Sequence, residues 1–311
     1  MRRFILLFLA AALLLLTGCG QAENSEKIEV VAAIFPEYDW VRQIVGEDDS
    51  IHVTLLVDDG VDAHSFQPSV SDMVTVSQCD LLIYGGGESD AWLKKAVLEN
   101  KNDSQHIIEL IPLLGENAHT EEIIEGMQSA EEDTELDEHV WLSLRNAAVF
   151  CENITDSLCE LNPSKADYYR VNLQEYLEKL QTMDKAYENA VCSAALDTII
   201  VCDRFPFRYM AEDYGLNYYA AFPGCSSETS ASFETMAFLA EKTKELAPGA
   251  LLILENSTTR FAQTVAENAG LSDIPVLVMD SMQAVSGEDT QETDYLTIME
   301  SNLSVLKQAL R

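Results

Sequence analysis

Basic residues are scarce in this 311-residue chain, with 19 Lys and Arg against 53 Asp and Glu and a formal net charge of −34. A field of that sign repels phosphate backbones and anionic lipid surfaces, which argues against nucleic acid as a partner and favours accumulation of cations. Closely spaced cysteine pairs are missing too. The six cysteines beyond position 19 (Cys79, Cys151, Cys159, Cys192, Cys202 and Cys225) are scattered, so neither a zinc ribbon nor a compact disulfide framework is indicated. There is no His-Glu-x-x-His pattern, the helical signature of many zinc hydrolases. No repeat at solenoid spacing occurs. The long apolar run from Phe4 to Leu16 is short for a membrane-spanning helix.

That run follows Met1-Arg2-Arg3 and leads into Leu16-Thr17-Gly18-Cys19, so residues 1–18 read as an export signal. The final tetrapeptide looks like a bacterial lipobox, whose cysteine is lipidated and becomes the first mature residue. A Cys19 carrying more than one acyl chain would anchor stably, and residues 19–27 read as a polar tether. The protein is therefore expected outside the cytoplasmic membrane and attached to it. Without residues 1–18 the balance is 17 basic to 53 acidic residues, a net of −36.

Beyond the tether, strand and helix patterns alternate. β-rich apolar runs at 29–34, 52–56, 81–84 and 107–110 are separated by helical patterns opening at Pro36, Ser71 and Ala91. Ten acidic residues and no Lys or Arg occupy 116–138, a segment expected to be mobile and solvated. Residues 144–161 read as one helix. Pro163 opens another, whose Ala166, Tyr169, Leu173, Tyr176, Leu177, Leu180, Met183, Tyr187 and Ala190 form one apolar stripe about 40 Å long. Strands then recur at 198–201, 218–221, 250–254 and 276–278, with helices after Ser232 and Thr259 and from Asp294. The expected fold class is α/β, with two similar lobes (28–162 and 192–311), each a mostly parallel sheet flanked by helices. A long rigid helix over 163–191 joins them.

Open parallel sheets bind ligands beyond the carboxyl ends of their strands. His64 follows the second strand, Cys202 the fifth and Asp280 the last, while His139 comes from the loop Asp137-Glu138-His139-Val140-Trp141-Leu142-Ser143. Two neutral imidazoles, one thiolate and one carboxylate sum to −2 and would balance a divalent cation. Imidazole with thiolate favours zinc. Asp203, Glu228, Glu255 or a water are alternatives to Cys202. His52 and His106 are assigned no role.

These residues carry a resemblance over nearly the whole mature length. Asp62-Ala63-His64-Ser65-Phe66-Gln67-Pro68, the His139 segment, Tyr209 through Leu216, and Tyr295 through Leu303 resemble the substrate-binding lipoproteins of bacterial zinc and manganese ABC importers. The resemblance implies two lobes bridged by a rigid helix, with zinc (or manganese) held in the cleft by His64 and His139. It implies cargo delivery to a membrane permease and its ATPase, no enzymatic activity and a monomeric state. A carboxylate at Asp280 matches the family pattern. Cys202 departs from it, because the family usually has histidine or glutamate there. A surface-anchored metallohydrolase, with Glu228 or Glu255 as base, and a metal-binding adhesin are the alternative functions.

Overall fold

The computed structural model describes residues 27–100, 102, 104–129, 135–226 and 230–311. Cys19, the export signal and Glu228 lie outside the described residues. The first half builds a parallel sheet from β1 (Ile28–Ala32), β2 (Ile51–Leu55), β3 (Leu81–Tyr84) and β4 (His106–Glu109) in the order β2-β1-β3-β4. The second half repeats that order with β5 (Thr198–Phe205), β6 (Asn217–Pro223), β7 (Leu251–Ile253) and β8 (Val276–Val278), arranged β6-β5-β7-β8. Every residue of β3 is buried, as a strand covered on both faces requires. In each sheet the first strand is internal, so the chain reverses direction of travel beside it. That leaves a crevice at the carboxyl ends. The expected pair of parallel α/β lobes is the observed fold.

The sheets are covered by α1 (Phe35–Val45), α2 (Val70–Gln78), α3 (Ala91–Asn100), α4 (Leu110–Leu113), α5 (Leu144–Leu161), α6 (Ala166–Cys192), α7 (Arg208–Tyr214), α8 (Phe233–Leu246), α9 (Arg260–Ala269) and α10 (Tyr295–Ala309). Side-chain caps set several of their starts. Ser143, Ser232 and Asp294 accept from the backbone N–H of Asn146, Thr235 and Thr297 at 3.0, 3.0 and 2.7 Å. α2 begins earlier than its expected cap at Ser71. Ser69 accepts from the Asp72 N–H while Asp72 accepts from the Ser69 N–H, and this reciprocal pair outcompetes a single cap.

A single turn at Pro163–Lys165 leads into α6, whose 27 residues span about 40 Å. Its stripe of Tyr169, Tyr176, Leu180, Tyr187 and Ala190 is buried against both halves. Near one end the Tyr169 hydroxyl donates to Asp48 Oδ2 at 2.6 Å, and near the other the Tyr187 hydroxyl donates to the Met299 carbonyl at 2.7 Å. Among the described residues no helix is long and apolar enough to cross a membrane.

The acidic segment differs from its expectation. Residues 119–121 pair with 135–137, the Glu121 N–H donating to the Glu135 carbonyl and the Asp137 N–H to the His119 carbonyl, each at 2.8 Å. The Gln128 N–H reaches the Ala221 carbonyl of β6 at 2.9 Å, so the described part of the segment straps across the second sheet. Acidic composition predicts solvation because it ignores where carboxylates find N–H donors. Glu121 is 8% exposed and its carboxylate receives two of them.

Tyr187→Phe removes one wholly buried hydroxyl and with it the bond that this hydroxyl donates to the Met299 carbonyl of α10. The expected cost is about 1–2 kcal/mol of unfolding free energy, read from the urea midpoint at unchanged slope.

Candidate metal centre

His64 sits in a short turn, Ala63–Ser65, that follows β2. Asp62 Oδ1 accepts from both the His64 N–H at 3.0 Å and its Nδ1 at 2.9 Å. His139 repeats this arrangement. Asp137 Oδ1 accepts from its N–H at 2.9 Å and from Nδ1 at 2.8 Å. An aspartate two residues before each histidine thus fixes ring orientation and tautomer, and aims Nε2 away from the anchor. The rings lie stacked with centroids 5.5 Å apart.

His139 is wholly buried, and its Nε2 has no hydrogen-bond partner. His64 Nε2 is likewise unpartnered: Glu138 Oε1 lies 2.8 Å away but out of line for a hydrogen bond. Buried polar nitrogens without partners are costly, and here both face one carboxylate. Glu138 is itself 2% exposed, and its other oxygen accepts from the Ser89 N–H at 3.1 Å and hydroxyl at 2.8 Å. Cys225 Sγ lies 3.8 Å from Glu138 Oε1. One donor atom from each of His64, Glu138, His139 and Cys225 falls within 4.8 Å of the others. Two imidazoles, a carboxylate and a sulfur suit a borderline-soft divalent ion.

Two glycines make room. A Cβ on Gly87, after β3, would lie 2.4 Å from the Glu138 Cβ, and one on Gly224, after β6, would lie 2.8 Å from His139 Cε1 and 3.0 Å from the Phe205 carbonyl. The loop is held from the other half of the chain. Trp141 Nε1 donates to the Ser281 carbonyl at 2.9 Å, and the Tyr295 hydroxyl donates to the Trp141 carbonyl at 2.7 Å.

Charge is balanced locally. Burial alone would raise the Asp62 pKa, but His64 and Arg204, which pairs with Asp62 Oδ2, hold it well below the usual carboxylate range. Burial also opposes charge on His64, yet the adjoining carboxylates of Asp62 and Glu138 outweigh it and raise its pKa to about 9. Glu138 is pulled the other way: burial would raise it, while His64 and His139 bring it down to about 2. Burial and repulsion from Asp137 raise Glu121. Without an ion, His64 and Glu138 form a buried cation–anion pair.

Of the sequence candidates, His64 and His139 come together and Cys202 and Asp280 do not join them. Cys202 lies on β5 on the same face as Ile200, packed with Leu239 and Val265 in the apolar layer beneath α8 and α9, and that burial pushes its thiol up. Period-two alternation turns it away from the crevice. Asp280 Oδ1 accepts from the Met282 N–H at 2.7 Å, and burial raises its carboxyl. Of the alternatives, Glu255 accepts from the Ser281 hydroxyl at 2.5 Å and Asp203 from the Leu254 N–H at 3.3 Å. Sequence reasoning misses three residues: Glu138, Cys225 and Arg204. Glu138 is visible there only as a flanking acid. Cys225 follows the end of β6 by the same strand-end rule that nominates Cys202, with Gly224 before it as the further signal. A register shift between Val201 and Arg204 accompanies the turn of Arg204 toward Asp62, which residue type alone does not reveal.

The family described as zinc-uptake complex component A, periplasmic (ZnuA), matches residues 30–309. The chain belongs to this family. Among curated ZnuA relatives, the high-affinity zinc uptake system protein ZnuA of Bacillus subtilis is 27% identical over 325 residues, covering 98% of this chain and 97% of its own. The zinc-binding lipoprotein AdcA of Streptococcus pneumoniae is 29% identical over 99% of this chain, which spans only 61% of the AdcA length. Among solved structures, the metal-dependent lipoprotein YcdH of B. subtilis superposes with a TM-score of 0.75 at 26% identity, over 91% of this chain and 99% of that one. The Zn(II)-bound ZnuA-like domain of S. pneumoniae AdcA gives 0.72 at 27% identity, over 91% and 99%.

Gly224→Ala should displace the His139 ring without room to relax. Metal affinity is expected to drop by about tenfold or more, on the scale of lost outer-shell supports, with the far-UV circular dichroism unchanged. The pH dependence of the metal-free chain follows from His64. Its folded pKa of about 9 exceeds the ordinary value of 6.5, so its contribution is complete below pH 6.5 and fades as pH rises through 9. His64→Gln should flatten the loss of stability across that window, measured by urea unfolding of the metal-free protein.

Proposed function

We propose that the chain captures zinc outside the cytoplasmic membrane and passes it to an ABC importer permease and its ATPase. It acts as a carrier rather than an enzyme, held to the membrane through lipidated Cys19. The observation that carries this reading is the buried His139 Nε2, left without a hydrogen-bond partner, beside the His64–Glu138 ion pair. His64, Glu138 and His139 are the proposed ligands. The metal-binding names of the B. subtilis and S. pneumoniae relatives support the cargo, and the lipoprotein name of AdcA supports the anchor. Manganese is the alternative cargo.

A chain lacking residues 1–18, stripped of metal and kept reduced, tests the reading. Free zinc about a hundredfold above Kd should stabilise it by about 2.7 kcal/mol, seen as a higher thermal midpoint. His139→Ala should abolish the gain, whereas Cys202→Ser, being remote from the cluster, should keep it. Absence of a zinc-dependent shift in the parent chain overturns the proposal.

A further inference from the structure

Three donors leave one corner of a tetrahedral zinc shell open, and only one further side chain among the described residues shares their cluster. Cys225 Sγ stands 3.8 Å from Glu138 Oε1, against about 3.3–3.8 Å for neighbouring ligand atoms around a tetrahedral zinc with the usual bond lengths. Its place is built rather than incidental. Glu121 grips the turn with both carboxylate oxygens, accepting from the Gly224 N–H at 3.2 Å and from the Cys225 N–H at 3.0 Å. The His139 ring lies against Gly224, one residue away. Independently of the sulfur, the wholly buried and unpartnered His139 Nε2 marks this space as a ligand site.

The structure assigns the fourth donor to the Cys225 thiolate and, through it, the choice of zinc over manganese; this rests on the zinc reading above. Thiolate and imidazole favour zinc, while manganese prefers oxygen donors, so the sulfur discriminates where His64, Glu138 and His139 alone would do so weakly. The step balances simply. The S–H bond of Cys225 and the Nε2–H bond of the His64 imidazolium break, S–Zn and N–Zn bonds form, and two protons leave to solvent, with no change of oxidation state. A bound divalent cation supplies the positive charge that draws off the thiol proton. The resulting shell carries two negative charges against the ion's two positive ones. Glu121 acts on the sulfur's position through the backbone.

Cobalt(II) and zinc(II) serve as probes of the metal-stripped, reduced chain. The parent chain should show a near-ultraviolet sulfur-to-cobalt charge-transfer band. Cys225→Ser should lose that band while still binding cobalt, and Cys202→Ser should retain it. Competition should show zinc affinity of Cys225→Ser reduced by about tenfold or more, at least the cost of a lost outer-shell support, with manganese affinity altered far less. A measurement on the parent chain avoids any folding defect in the variant. Saturating zinc should protect Cys225 from alkylation, read by peptide mass spectrometry, while the exposed Cys192 reacts equally with and without metal. Zinc binding with no charge-transfer band and no protection of Cys225 overturns this assignment and leaves the carrier reading intact. Failure to bind cobalt and zinc at all overturns both.

Discussion

Each of the two central imidazoles gives one nitrogen to the aspartate two residues before it, and the rest of the site is built around where the other nitrogen must then point. In water an unpaired Nε2 costs nothing. Inside the protein, with His139 wholly buried, it is a standing deficit that only a cation or a misaligned carboxylate is there to meet. Gly87 and Gly224 are bare because the groups anchored this way occupy their Cβ space. Trp141 and Tyr295 fix the backbone that carries one ring, and Arg204 neutralises the carboxylate that carries the other.

The acidic character of the chain takes on two separate roles in this arrangement. Most carboxylates are at the surface and set a long-range field that gathers cations. A few are buried, and these act locally. Asp62 and Asp137 orient rings, Glu138 faces them, and Glu121 holds a turn of the opposite sheet. The described residues of this segment, 119–129 and 135–137, are therefore a structural link between the halves, with the Glu121 carboxylate held by backbone N–H donors.

Much of this is legible in the residues alone. Alternating apolar runs and caps such as Ser232 and Asp294 locate the strands and helices to within a few residues, because hydrophobic period and capping are local properties. The strand-end rule finds His64, and the clustered acids draw attention to His139. What fails is facing. Cys202 qualifies as a strand-end thiol, but the strand continues to Phe205 and alternation buries the sulfur on the helix-covered side. Asp280 meets the rule and is instead engaged with its own turn. Cys225 and Arg204 depend on which side of a sheet a turn emerges and on a register shift, neither of which residue type encodes by itself. The doubled Asp-x-His spacing is present in plain sight, and its meaning requires seeing that both aspartates bind the same two N–H groups of their histidine.

α6 has a mechanical consequence. It runs unbroken for 27 residues with neither Gly nor Pro, and a tyrosine hydroxyl rivets it to one half near each end. Such a rod resists bending, so the halves cannot swing like jaws about its middle. Whatever admits or releases a guest must be a slackening of lips. The short turns carrying His64, Glu138–His139 and Cys225 can part by small amounts while the frame behind them holds its span.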